Sequence, residues 1–265
     1  MLSADRTDQR HAEPALREAY TRAHAAVARL TELDSTQDDV VATMSHELRT
    51  PLTSIAGYLE ILTGGDAGPL SPVQGQMLDT MSRNVTRLRT LVEDLILVNS
   101  GRRGPLTLAR TDTSLPELIR DAVDAATPYA RQRDQRIEVR IDGGVGVVPV
   151  DGIRLSRAIG ALLNNAVKAS PVGAPVLVLA TGVARGVRIQ IADRGGGIPA
   201  EELERIFDRF YRTEAANRQA EQGIGLGLSI ARDIVEAHGG QLTASSVLGD
   251  GSTFTIYLPV PADAP

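Results

Sequence analysis

Cysteine is absent from the 265 residues, which excludes disulfides and thiolate metal centres and fits a reducing compartment. Tryptophan is absent too, and phenylalanine occurs three times. That is too little aromatic surface for a stacking platform that binds single-stranded nucleic acid. Positive charge is not in excess: 28 Lys and Arg against 33 Asp and Glu leave a formal net charge of −5. The balance offers no electrostatic case for nucleic acid or for an anionic membrane surface. No run approaches the roughly 18 apolar residues of a membrane-spanning helix, and the N-terminus lacks the apolar core of a signal peptide. The expectation is a cytoplasmic protein with no membrane span in this chain, or a membrane-tethered or sensor-linked one if the chain is a fragment.

What is present reads as two compact domains behind a helical lead-in. Residues 1–38 read as a helical, coiled-coil-like linker, with Leu16, Tyr20, Ala23, Val27 and Leu30 at heptad spacing. The seam breaks at Asp34 and Gln37, either as a signal-transmitting irregularity or as a frayed joint. Residues 39–100 read as a helical hairpin. Val41, Ser45, Leu48, Leu52, Ile55, Leu59 and Leu62 form one seam, and Met77, Met81, Asn84, Leu88, Leu91, Leu95 and Val98 the other. Gly64-Gly65 ends the first helix, and Ser71-Pro72 with Gln74 opens the second as a capping box. A lone hairpin leaves its apolar stripes half exposed, so pairing of two copies into a four-helix bundle, a homodimer, is expected.

After Gly101-Arg102-Arg103-Gly104-Pro105, residues 106–260 alternate strand-like and helix-like patterns without strict βαβ order. The fold class is therefore α+β, the second domain being an α/β sandwich with a mixed sheet. Strands are expected over 106–109, 137–141, 145–150, 176–180, 187–192, 241–246 and 253–258. Helices are expected from Ser114, as the cap of a Ser114-x-x-Glu117 box, to about Arg131, and over 155–169, 201–210 and 226–238.

Four clusters carry the chemistry. In Ser45-His46-Glu47-Leu48-Arg49-Thr50-Pro51-Leu52 a histidine precedes a glutamate on an amphipathic helix. Histidine ionises near neutrality and can act as a nucleophile while a neighbouring carboxylate holds one ring nitrogen. His46, Thr50 and Thr53 share one helical face. Pro51 either strains a continuous helix or starts a new one, with Thr50 as its N-cap. The second cluster is Asn164-Asn165-Ala166-Val167-Lys168, where an amide oxygen suits Mg²⁺. The third, Asp193-Arg194-Gly195-Gly196-Gly197, follows a buried strand; its Asp can accept from an exocyclic amine and its glycines admit a planar ligand. The fourth, Gly223-Ile224-Gly225-Leu226-Gly227-Leu228, opens a helix whose amides suit phosphates. A polar run, 213–222, lies before it as a lid.

Taken in order, these clusters resemble the H, N, G1 and G2 boxes of two-component sensor histidine kinases, with Ile206 to Arg212 similar to the F box. The resemblance covers roughly residues 38–260. It implies a dimerisation and phosphoacceptor domain of the HisKA type followed by a Bergerat or GHKL ATP domain. By position, it implies that His46 accepts the γ-phosphoryl group of ATP, Glu47 orients or deprotonates it, and Thr50 positions water for dephosphorylating a response regulator. Asn165 would hold Mg²⁺ and Asp193 the adenine amine. Lys168 and Arg209 would contact phosphates, and Gly195, Gly197, Gly223, Gly225, Leu226 and Gly227 would line the nucleotide. The acceptor would be an Asp in the receiver domain of a separate response regulator, and the input would come from elsewhere or from a longer chain. Ala161 and Ala169 depart from the family, which usually has Asn and often an aromatic residue there. A non-kinase ATPase of the same nucleotide fold, or a protein acting mainly as phosphatase or scaffold, are the rival readings.

Overall fold

The computed structural model describes residues 48–65, 68–102, 106–214 and 225–260. The chain divides into two compact units between Asn99 and Ser100. His46, Glu47, Gly223, the lead-in expected as a coiled coil and most of the expected lid, residues 215–222, lie outside the described residues.

In the first unit, helix α1 spans 48–64 and helix α2 spans Pro72–Arg102. Residues 48–50 are already helical, so the helix runs through Pro51 and Thr50 is not an N-cap. Gly65 stops α1 at φ +89°. The capping box of α2 forms as expected: the Ser71 amide donates to Gln74 Oε1 at 2.8 Å, and the Gln74 amide to Ser71 Oγ at 3.3 Å.

Burial within one chain divides the seams. Leu52 and Leu59, one heptad apart, are withdrawn from solvent on α1, and Val92 on α2. The other expected seam residues Leu48, Ile55, Met77, Met81 and Leu88 stay exposed, Met77 at 60%. On α2 Val92 is buried, and Leu78, Val85 and the expected seam residue Leu91 are half-buried. A single hairpin can enclose only one stripe on each helix, and a heptad carries two apolar positions.

The second unit is a two-layer sandwich. Its five-stranded sheet has the order β2-β4-β5-β7-β6, from β2 (Ile137–Ile141), β4 (Val176–Val183), β5 (Gly186–Ala192), β6 (Gln241–Val247) and β7 (Gly251–Pro259). Only β2 and β4 pair in parallel, so the sheet is mixed. Residues two apart, Val176, Val178 and Ala180 on β4 and Phe254, Ile256 and Leu258 on β7, turn one face into the core. Helices α3 (Leu115–Arg131), α4 (Gly152–Ala169) and α5 (Gly227–Ala237) form the second layer, α4 lying between the other two. Leu155, Ile159, Leu162, Leu163, Ala166 and Val167 are fully buried on α4. Each Leu, Ile or Val among them contributes about 1.5–3 kcal/mol by leaving water.

Three expectations fail locally. No strand forms over 106–109: β1 is Thr111–Ser114, antiparallel to β3 (Val147–Val150), while the Ala109 amide donates to Asp151 Oδ2 at 3.1 Å. Ser114 does precede α3, but its hydroxyl makes no cap bond because Ser114 belongs to β1; the Leu115 amide reaches Gly146 O instead. The helix expected over 201–210 is a series of turns with one 3-10 turn, Arg205–Phe207. There Asp208 is extended and Phe210 adopts φ +65°, which brings the Phe210 amide to Gly225 O at 2.9 Å. That long-range closure overrides local helical preference.

Candidate functional site

Helix α4 begins at Asp151, whose Oδ1 accepts from the Arg154 amide at 3.1 Å. Its far end carries Asn165 and Lys168, both half-buried. Ala161, Asn165 and Lys168 follow i, i+4, i+7 and share a face. A Cβ built on Gly227 would lie 3.8 Å from the Ala161 Cβ, so this face meets the first turn of α5. Asn165 and Lys168 continue that face of α4 one and two turns beyond Ala161, which meets a helix N-terminus whose first amides have no intrahelical acceptor.

Beyond Lys168 the site continues into the loop after β5. A Cβ on Gly195 would meet Ala169 O at 2.7 Å and Asp193 Oδ1 at 2.9 Å, so only glycine lets the loop pass the end of α4. Gly197 has φ +74° and lies against the β6–β7 turn, where Gly249 donates to Gly196 O. Further along, Gly225 has φ +73° and abuts Tyr211 O. Leu226 is 1% exposed: its side chain belongs to the core, and only its backbone can face a ligand.

Asp193 is the centre of this arrangement. It is 4% exposed. Its Oδ1 accepts from the Gly195 amide at 2.8 Å and the Ser252 amide at 3.1 Å. Its Oδ2 is buried with no hydrogen-bond partner. Burial pushes the carboxyl above its ordinary range, against the lowering effect of the Gly195 and Ser252 hydrogen bonds. A buried acceptor left open in this way is costly unless a donor arrives. An exocyclic amine would meet it, so the residues fit an adenine.

Several residues that build the site carried no assigned role in the sequence. Ser252 supplies one of the amides that orient Asp193. Ser246 Oγ accepts from the Ile198 amide at 2.8 Å and donates to Gly251 O, joining the glycine loop to β7. Arg133 Nη2 donates to Lys168 O at 3.2 Å, and Gln135 Nε2 to Ser170 O at 2.9 Å and Pro171 O at 2.8 Å. These two side chains anchor the C-terminal end of α4 behind Asn165 and Lys168. Nothing in a short polar run such as Arg131 to Arg136 announces that role.

Arg209 does not point freely outward. Its Nη2 donates to Asp233 Oδ2 on α5 at 3.0 Å. His238, read from sequence only as a helix end before a C′ glycine, is buried. Its Nε2 accepts from the Asp151 amide at 3.0 Å, and its Nδ1 pairs with Ile234 O at 2.8 Å. Thr50 is exposed on α1, and Thr53 Oγ1 donates to Arg49 O. Among the described residues no cluster of three or more His, Cys, Asp or Glu could hold a metal. No helix among them is long and apolar enough to cross a membrane.

Comparison with known proteins adds independent findings. Residues 36–104 match the His Kinase A (phospho-acceptor) domain. Residues 150–262 match the histidine kinase-, DNA gyrase B-, and HSP90-like ATPase. The histidine protein kinase DivJ of Caulobacter vibrioides is 34% identical over 260 residues, 97% of this chain and 42% of that protein. The adaptive-response sensory kinase SasA of Synechococcus sp. strain JA-3-3Ab is 31% identical over 235 residues, 88% of this chain and 62% of that one. The chain thus spans less than two thirds of these relatives. Among solved structures, full-length ShkA in complex with AMPPNP superposes with a TM-score of 0.68 at 25% identity, covering 86% of this chain and 47% of ShkA. The mycobacterial sensor histidine kinase MprB gives 0.51 at 30% identity, covering 57% of this chain and 98% of that structure.

Proposed function

The chain belongs to the two-component sensor histidine kinases, and from that membership we propose that it phosphorylates its own His46 from ATP and passes the phosphoryl group to an aspartate on a separate response regulator. The observation that best supports the nucleotide half is the open, buried Oδ2 of Asp193, an acceptor that an adenine amine would satisfy. Gly195 and Gly197 let the base pass the backbone. The amides at the start of α5, from Gly225 to Gly227, face the phosphates, with Lys168 and Arg209 as cations and Asn165 as the Mg²⁺ ligand. Magnesium held by Asn165 would supply neutralisation of phosphate charge.

His46 is the nucleophile. A ring nitrogen attacks the γ-phosphorus in line, the new N–P bond forms as the bond to the bridging oxygen breaks, and ADP leaves with that oxygen. Glu47 holds the other ring N–H and takes its proton. Thr50, one turn beyond His46, positions a water for hydrolysis of the regulator's acyl phosphate. The acting species is a homodimer paired through the hairpin, working in the cytoplasm.

The test is chemical. The full chain incubated with Mg²⁺ and γ-labelled ATP acquires acid-labile, base-stable phosphate, and His46→Gln removes it while nucleotide still binds. Label persisting on His46→Gln would refute the acceptor assignment. A wild-type chain that binds ATP and never labels would leave the phosphatase or scaffold role that Ala161 and Ala169 motivate.

A further inference from the structure

Arg209 stands at the mouth of the nucleotide site by its backbone and away from it by its side chain. The next residue, Phe210, is fixed by its amide bond to Gly225 O at 2.9 Å, and the Tyr211 amide bonds to Asp208 O at 3.2 Å. Neighbouring side chains hold the same segment. The Arg205 guanidinium lies 4.5 Å from the centre of the Tyr211 ring, and that of Arg232 lies 5.1 Å from the centre of Phe207. The backbone at Arg209 is therefore pinned beside the start of α5. Its guanidinium, however, contacts Asp233 at 3.0 Å. Asp233 lies six residues beyond Gly227, about 9 Å along the helix axis from the end that presents amides to phosphate. One guanidinium cannot hold that carboxylate and at the same time close on a phosphate at the helix start.

We propose that Asp233 is a positioning residue that draws Arg209 away from the phosphates and so sets how strongly the site prefers a nucleoside triphosphate to a diphosphate. The inference rests on the kinase reading above. The terminal phosphoryl group brings the added charge that competes with the Asp233 carboxylate for Arg209. A diphosphate, met by the α5 amides and Lys168, leaves the pair intact. The two side chains are 28% and 34% exposed, so the competition is modest: a pair of this exposure corresponds to roughly a two- to fivefold change in affinity.

The experiment uses the full chain with Mg²⁺, titrated calorimetrically with ADP and with a non-hydrolysable ATP analogue. Asp233→Asn is expected to tighten analogue binding roughly two- to fivefold and to leave ADP binding unchanged, with Asp233→Ala moving in the same direction. In an Arg209→Ala background the Asp233→Asn gain disappears. Merely structural damage would weaken both nucleotides and could not produce a gain. Analogue affinity that falls or stays level in both Asp233 variants overturns the proposal, as does a gain that survives Arg209→Ala. If the wild-type chain binds neither nucleotide, the kinase reading itself fails and the proposal with it; if wild type binds both, only the Asp233 role is at stake.

Discussion

A carboxylate as enclosed as Asp193 is costly to the fold that contains it. Burial raises its pKa above the ordinary 3.8, so the folded chain holds this proton more tightly than the unfolded one. The stabilisation of the protonated form is complete below pH 3.8 and is lost as pH rises through the folded pKa. At neutral pH the ionised group is a net cost, which a nucleotide amine on Oδ2 would offset. Asp193→Asn keeps the shape, removes the charge, and turns either a donor or a neutral acceptor toward that amine. Without nucleotide the variant is expected to melt at the wild-type temperature or above it. Its ATP affinity falls about ten- to a hundredfold, the range of a hydrogen bond to a charged group. Thermal melting and calorimetric titration check the two halves. A lower melting temperature with unchanged affinity would make Asp193 purely structural. The aspartate itself was legible in the sequence, because an Asp before three glycines at a strand end is a local pattern. Which of its oxygens stays open was not, since Ser252, which occupies the other, lies far along the chain.

At the scale of elements, α4 and α5 are tied at the ends opposite the nucleotide site. Asp151 caps α4, and His238, at the end of α5, accepts from the Asp151 amide. Burial lowers the His238 pKa from 6.5, and the charges of Arg110 and Arg154 act in the same sense against the Ile234 hydrogen bond and Asp151. A histidine kept neutral by folding takes up its proton first in the unfolded state. Its contribution is therefore complete above pH 6.5 and shrinks as pH falls from 6.5 toward the folded pKa. Asp151 is also pushed up by burial, but the Arg154 and Ala109 amides and the Arg154 charge outweigh this and leave its pKa lowered. Its own contribution is lost only on acidification below 3.8. Urea midpoints should thus decline in a first step below pH 6.5, and His238→Gln should flatten that step while lowering the midpoint at neutral pH. An unchanged slope in the variant would remove His238 as its source. The helix end read from sequence is there, with His238 as its C-cap and Gly239 at φ +79°, but the tie itself was not legible. His238 looked like an ordinary helix end because Gly239 and Gly240 follow it, while its partner Asp151 lies 87 residues away.

At the scale of the whole molecule, the hairpin is incomplete alone. Tyr58 is 67% exposed and Met81 55%, beside Leu48, Ile55, Ile61, Met77 and Leu88. Apolar side chains repeating along helices α1 and α2 call for a covering surface, and a second hairpin supplies the same pattern with two-fold symmetry. The full chain is expected to sediment as a dimer at micromolar concentration, and Met77→Lys combined with Met81→Lys should shift it toward monomer while leaving nucleotide binding intact. A wild-type monomer under those conditions would mean that the exposed stripe serves another partner.

The sequence alone determined the order of the clusters, the helical hairpin, the mixed α/β architecture and which residues are proposed for the nucleotide site, because each depends on spacing within a few turns or one strand. It also suggested helical seams, of which it could assign only the apolar period and not which stripe one chain encloses. Tertiary structure decided the rest: the turns in place of a helix over 201–210, the open oxygen on Asp193, the anchoring of α4 by Arg133 and Gln135, the Arg209–Asp233 pair and the buried His238. Each of these is a hydrogen bond or closure between residues distant in sequence. Local propensity and periodicity carry no information about such partners until the sheet and the three helices have brought them together.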